Sequence, residues 1–97
     1  MVFFLREFML NKSFQLQNKL GLHARASAKL VATASRFLSK IDITQGKQTI
    51  NGKSIMGVMM LGAKFGSTID CIIDGPDEAE LCHALEKLIA NKFDEQE

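Results

Sequence analysis

Ninety-seven residues suffice for one domain, because compact domains run from about 50 to 250 residues. With 46% hydrophobic and 24% charged residues the chain can close a core without disulfides, which excludes intrinsic disorder as its expected state. A formal net charge of +1 excludes a protein built as a whole around a nucleic-acid backbone. Cys71 and Cys82, neither in a CxxC pair nor at metal-ligand spacing, fit a reduced cytoplasmic setting better than a disulfide framework.

Residues 1–8 hold the apolar run Val2, Phe3, Phe4 and Leu5, interrupted by Arg6 and Glu7. The run is too short to cross a bilayer and no small-residue cleavage site follows, so neither export nor membrane insertion is expected. Met9 offers a second start, and residues 1–8 are read as an N-terminal extension of a domain spanning 9–97. From Phe8 to Gln17 the pattern turns to alternation, with Phe14 and Leu16 on one face, which predicts a half-buried strand. A connection with Gly21 at its centre leads to Ala24–Leu38, where Ala26, Leu30, Ala34 and Phe37 recur at helical spacing.

Ile41 and Ile43 alternate with Asp42 and Thr44, and Gln48–Asn51 resumes a strand, so a hairpin is predicted around Gln45–Lys47. Ser54 stands where an N-cap stands before a short helix over Ile55–Leu61, with Gly62 as its stop. Ser67–Asp74 is the last strand, with Ile69, Cys71 and Ile73 inward. Gly75-Pro76-Asp77 opens a final helix whose stripe is Leu81, Cys82, Leu85, Leu88 and Ile89, with Asp77, Glu78 and Glu80 at its positive end. Four alternating strands and helices with single apolar stripes predict an α+β, two-layer sandwich with one sheet face covered.

The net charge hides an asymmetry. Residues 1–66 carry ten Lys/Arg against two Asp/Glu, and residues 67–97 carry two against nine. Either the two regions neutralise each other across the fold, or the first helix offers a cationic surface to an acidic partner.

His23 is the most informative position. It precedes the first helix, where amide hydrogens lack partners and the dipole favours an anion. The same field favours the neutral, nucleophilic ring. Arg25 can add charge-assisted hydrogen bonds to a phosphoryl group. No acid lies within ten residues of His23 on either side, so a carboxylate beside it would have to come from a distant part of the chain. The competing reading is an ordinary surface or capping histidine.

Gly21-Leu22-His23-Ala24-Arg25, after a strand and opening a helix, resembles the active-site signature of the HPr family, the histidine-containing phosphocarriers of the bacterial phosphoenolpyruvate-dependent phosphotransferase system. Lys53-Ser54-Ile55-Met56-Gly57-Val58-Met59 resembles that family's regulatory-serine region. The resemblance runs over Met9–Phe93 and implies an open-faced sandwich, a four-stranded antiparallel sheet with three helices on one face. It implies a carrier, a phosphoryl-transfer intermediate and not a standalone turnover enzyme. By this mapping enzyme I phosphorylates Nδ1 of His23, and the group passes to a histidine of an enzyme IIA protein. Arg25 is then the electrostatic partner, with the amides of Ala24, Arg25 and Ala26 as a cradle. Ser54 would be the target of an HPr kinase/phosphorylase. One departure is Ala26, where many members have proline.

Ile55, Met56, Met59 and Met60, with Ala24 and Lys29, are the expected partner-docking surface, since thioether side chains adapt to several partner shapes. A wholly buried methionine cluster is the alternative. Cys71 and Cys82 are expected as buried thiols and His83 as solvated; zinc held by these three with His23 is not expected, and no cofactor is implied. Carriers serving sugar import and a regulatory, nitrogen-related branch both fit. A small binding module using the basic stretch Lys19–Lys40 is the reading from another class, weakened by the lack of Tyr and Trp for stacking. The expectation is therefore a cytoplasmic, monomeric carrier that binds no nucleic acid.

Overall fold

A computed structural model describes residues 9–95, so the expected extension over 1–8 lies outside the described residues. The elements are β1 (Met9–Gln15), α1 (Ala24–Ala34), β2 (Lys40–Gln45), β3 (Gln48–Asn51), α2 (Ile55–Met60), β4 (Thr68–Asp74) and α3 (Glu78–Ala90), followed by a 3-10 turn at Lys92–Asp94. The four strands form one antiparallel sheet in the order β1-β4-β2-β3. Its register sets inward residues opposite one another, as the pleat requires: Phe14 faces Ile69, Ile41 faces Ile73, and Ile43 lies between Cys71 and Ile50.

On the covered face these side chains pack against Ala26, Leu30 and Ala34 of α1, Val58 of α2, and Leu81, Leu85 and Ile89 of α3. The other face carries polar cross-strand pairs, Ser13 with Asp70 and Thr44 with Thr49. This is the α+β open-faced sandwich expected from the alternating strands.

One element ends differently from the periodicity. The first helix was expected to run to Leu38, but it stops at Ala34 with Ser35 as its C-cap. Phe37 still packs against the core, from a turn closed by Phe37 N–H to the Ala34 carbonyl at 3.2 Å. What holds the connection is remote: Asp77 accepts from the amides of Leu38 and Ser39, both at 2.9 Å, and from the Ser39 hydroxyl at 2.6 Å. Asp77 therefore makes no side-chain cap on α3, although it occupies the N-cap position. Glu78 instead reaches back to the Gly75 amide at 2.9 Å. These bonds hold the Asp77 carboxyl below its usual range, the Ser39 hydroxyl contributing most.

Candidate functional site

The loop from β1 to α1 is pinned at both sides. Asn18 is fully buried and its Nδ2 donates to the Gly21 carbonyl at 2.8 Å, while the Gly21 amide donates to the Asn18 carbonyl at 3.2 Å. Gly21 has φ +65, and a Cβ there would lie 2.4 Å from the Ala63 carbonyl oxygen, so only glycine fits this approach. The same carbonyl accepts from the Leu22 amide at 2.9 Å, and Leu22 is buried. Two loops are thus tied together just before His23.

His23 is the N-cap residue of α1, in an extended conformation, and its side chain makes no cap bond. Intrahelical bonding begins with the Ser27 amide to the His23 carbonyl at 2.8 Å. The amides of Ala24, Arg25 and Ala26 therefore stand at the open end of the helix, where an anion is stabilised. Arg25 is exposed beside them, whereas Ala26 is buried and anchors the turn.

The ring of His23 has gone elsewhere. Its Nε2 lies 2.5 Å from Oε2 of Glu95, a residue 72 positions away, and Glu95 Oε1 accepts from Asn18 Nδ2 at 3.1 Å. The carboxylate is 10% exposed and the imidazole 28%. Burial pushes the Glu95 carboxyl up, but the hydrogen bonds from His23 and Asn18, with the charges of His23 and Arg25, outweigh it and hold the group below its usual range. Facing a carboxylate, which only accepts, Nε2 is the donor nitrogen of this contact.

The tail that delivers Glu95 is held by the core and by α1. Lys92, Phe93 and Asp94 have φ of 56, 56 and 63, all in the left-handed region. Phe93 is fully buried. Lys29 donates to the Phe93 carbonyl at 2.9 Å and pairs with Asp94 at 3.5 Å. The lysine expected on the docking surface is thus engaged by this turn.

The second candidate region behaves as a capped helix. Ser54 Oγ accepts from the Gly57 amide at 3.0 Å. Within α2 only Val58 is buried; Ile55, Met56, Met59 and Met60 are exposed, Met56 at 69%. The buried-methionine alternative is therefore wrong, because Val58 with Leu61 alone fills the space under so short a helix. Leu20 and Phe65 are also exposed, on the two loops tied together by the Leu22 amide and the Ala63 carbonyl, and carried no periodic signal. Of the thiols Cys71 is buried, but Cys82 is only half-buried, since it flanks the Leu81-Leu85-Ile89 stripe. His83 is solvated as expected. Sequence reasoning did not find Glu95 or Asn18; the acidic character of the C-terminal region was the only trace of Glu95, and Asn18 left none.

Fold and site together define a small open-faced sandwich that presents one imidazole at the head of its first helix. Residues 10–91 match the family described as the PTS HPr component phosphorylation site. The phosphocarrier protein HPr of Cupriavidus necator is 52% identical over 89 residues, covering 92% of this chain and all of the relative. That of Neisseria meningitidis serogroup A is 52% identical over the same shares of both chains. Among solved structures, HPr-C-His from Thermoanaerobacter tengcongensis matches with TM-score 0.86 and 41% identity, over 91% of this chain and 99% of that one. The phosphocarrier protein HPr of Bacillus anthracis matches with TM-score 0.75 and 43% identity, over 84% and 94%. The chain belongs to the HPr family, the phosphocarriers of the phosphotransferase system. Among the described residues no helix is long and apolar enough to cross a membrane.

Proposed function

We propose that His23 accepts a phosphoryl group at Nδ1 from enzyme I and passes it to a histidine of an enzyme IIA protein. The observation that carries this reading is the placement of His23 at the N-cap of α1 with its ring free of any capping bond. An incoming phosphoryl group there meets the amides of Ala24, Arg25 and Ala26, and the exposed Arg25 guanidinium adds a fixed positive charge. The apolar surface of Ile55, Met56, Met59 and Met60, with Ala24, supplies an adaptable docking face of the kind a carrier with several partners needs.

The test is incubation with enzyme I and phosphoenolpyruvate, read by intact mass. One acid-labile phosphate is expected on the wild-type chain and none on His23→Ala. An unmodified wild-type chain beside active enzyme I would refute the reading, as would a phosphate that persists on His23→Ala.

Ser54 is proposed as a second, regulatory phosphorylation site for an HPr kinase/phosphorylase. A phosphate there carries about −1.5 to −2 charges; it sits at a helix start and beside the docking face, so it repels an acidic partner without unfolding α2. An acid-stable phosphate appearing with kinase and ATP, and absent from Ser54→Ala, is the expected result.

A further inference from the structure

We propose that Glu95 is a positioning residue for His23, holding the Nε2–H form of the ring so that Nδ1 is the nucleophile. This rests on the reading of His23 as the phosphoryl acceptor. Three independent features of the structure converge on it. The Glu95 carboxylate is shared between the ring and a fully buried amide, with Oε2 on His23 Nε2 and Oε1 on Asn18 Nδ2. Asn18 Nδ2 also donates to the Gly21 carbonyl, and because both of its partners are acceptors the orientation of the amide is fixed. The carboxylate is therefore oriented by the same loop that positions the histidine.

The second feature is the route by which the chain arrives. Three consecutive non-glycine residues, Lys92 to Asp94, take left-handed backbone, a conformation that persists only where surrounding contacts impose it. Here those contacts are the burial of Phe93 and the Lys29 ammonium on the Phe93 carbonyl. The held turn fixes where Glu95 leaves it, next to the ring of His23. The third feature is that the imidazole makes no cap bond on α1, although it occupies the position where a side chain usually caps.

The chemistry follows from which nitrogen keeps the proton. As Nδ1 attacks, its lone pair forms the bond to phosphorus while phosphorus releases the donor atom, and the electron pair of the broken bond stays with the donor. The proton remains on Nε2, so the ring gains a positive charge in the step. Glu95 faces that charge through a charge-assisted hydrogen bond, the arrangement by which a carboxylate orients a histidine in hydrolytic triads. When the group is handed on, the ring returns to neutral with its proton still on Nε2.

The experiment uses the full chain, His23 labelled with nitrogen-15, and the variants Glu95→Gln and Glu95→Ala. The expected wild-type signature is an Nε2–H proton shifted downfield and protected from solvent exchange, with an unprotonated Nδ1. In Glu95→Ala that protected proton is lost and phosphorylation by charged enzyme I slows about tenfold, the scale of one charge-assisted hydrogen bond. Glu95→Gln keeps an acceptor oxygen and not the charge, so it retains the Nε2–H form and gives a rate between the two. All three chains are compared below their unfolding midpoints, so a change of stability does not enter.

An unchanged rate in Glu95→Ala overturns the proposal, whether or not the protected proton is lost. In Glu95→Ala a slower rate with the Nε2–H signature intact overturns it equally, because the tail then acts on docking. A wild-type chain that takes no phosphate on His23 removes the underlying reading and this one with it. That outcome is distinguished by the wild-type mass alone.

Discussion

Gly21 carries the chain into His23 through a conformation that a side chain would block. Replacing it with alanine places a Cβ against the Ala63 carbonyl and forces left-handed backbone on a residue that carries a Cβ. Gly21→Ala is expected to lower stability by about 2–3 kcal/mol, measured by denaturant unfolding, and to slow phosphorylation of His23 by shifting the start of α1. The thiols give a second test at this scale. Burial, then Cys82 and Asp70, push the Cys71 thiol up to about 12. Burial and Glu86 also raise Cys82, but it is only half-buried. An alkylating reagent at pH 8 should therefore label Cys82 slowly and leave Cys71 unmodified in the folded chain; equal labelling of both would contradict the packing. His23, Arg25 and Ser54 were legible as residues because each stands at a helix start marked by local sequence. Nothing local marked Glu95 or Asn18, whose roles come from a contact across the chain.

At the scale of elements, the short helix α2 depends on its cap. It has six residues, too few to be stable by propensity, and Ser54 Oγ satisfies the Gly57 amide. Ser54→Ala should cost about 1 kcal/mol, whereas Ser54→Asp keeps a capping oxygen and should lose far less. Matching unfolding midpoints for the two variants would show that the cap contributes nothing. The α1–β2 connection depends on Asp77 in the same manner, through three hydrogen bonds that leave α3 without a side-chain cap. Asp77→Ala should lower the Tm at neutral pH. The folded carboxyl lies below its ordinary value of 3.8, so this contribution is fully present above that value and is lost as pH falls through the folded one. The Tm gap between wild type and Asp77→Ala should accordingly close in acid.

Across the whole molecule the charge asymmetry resolves in part by neutralisation. Lys12 pairs with Glu86 at 3.2 Å and Lys29 with Asp94 at 3.5 Å, each joining the basic part of the chain to the acidic part. The side chains of the Lys12–Glu86 pair are both over 40% exposed, so that pair adds little to stability. Stability of the whole rests on the single core beneath the helices, which the tail completes with Phe93. Phe93→Ala should cost about 3–5 kcal/mol by opening a cavity, a loss that calorimetry would read as a large drop in Tm. An unchanged Tm would mean that the tail lies off the core.

Local physics determined much of this protein. Alternation in Ile69, Cys71 and Ile73 set the inward face of β4, the spacing of Ala26, Leu30 and Ala34 set the buried face of α1, and Ser54 marked the start of α2. These are short-range patterns, because side-chain direction repeats every two residues in a strand and every 3.6 in a helix. The tertiary structure alone decided where α1 ends and what the ring of His23 touches. Both involve carboxylates supplied from far along the chain, Asp77 holding the segment that follows α1 and Glu95 meeting the ring. A hydrogen bond between residues 72 positions apart leaves no periodic trace, since only the folded sheet and the buried Phe93 bring its two ends together.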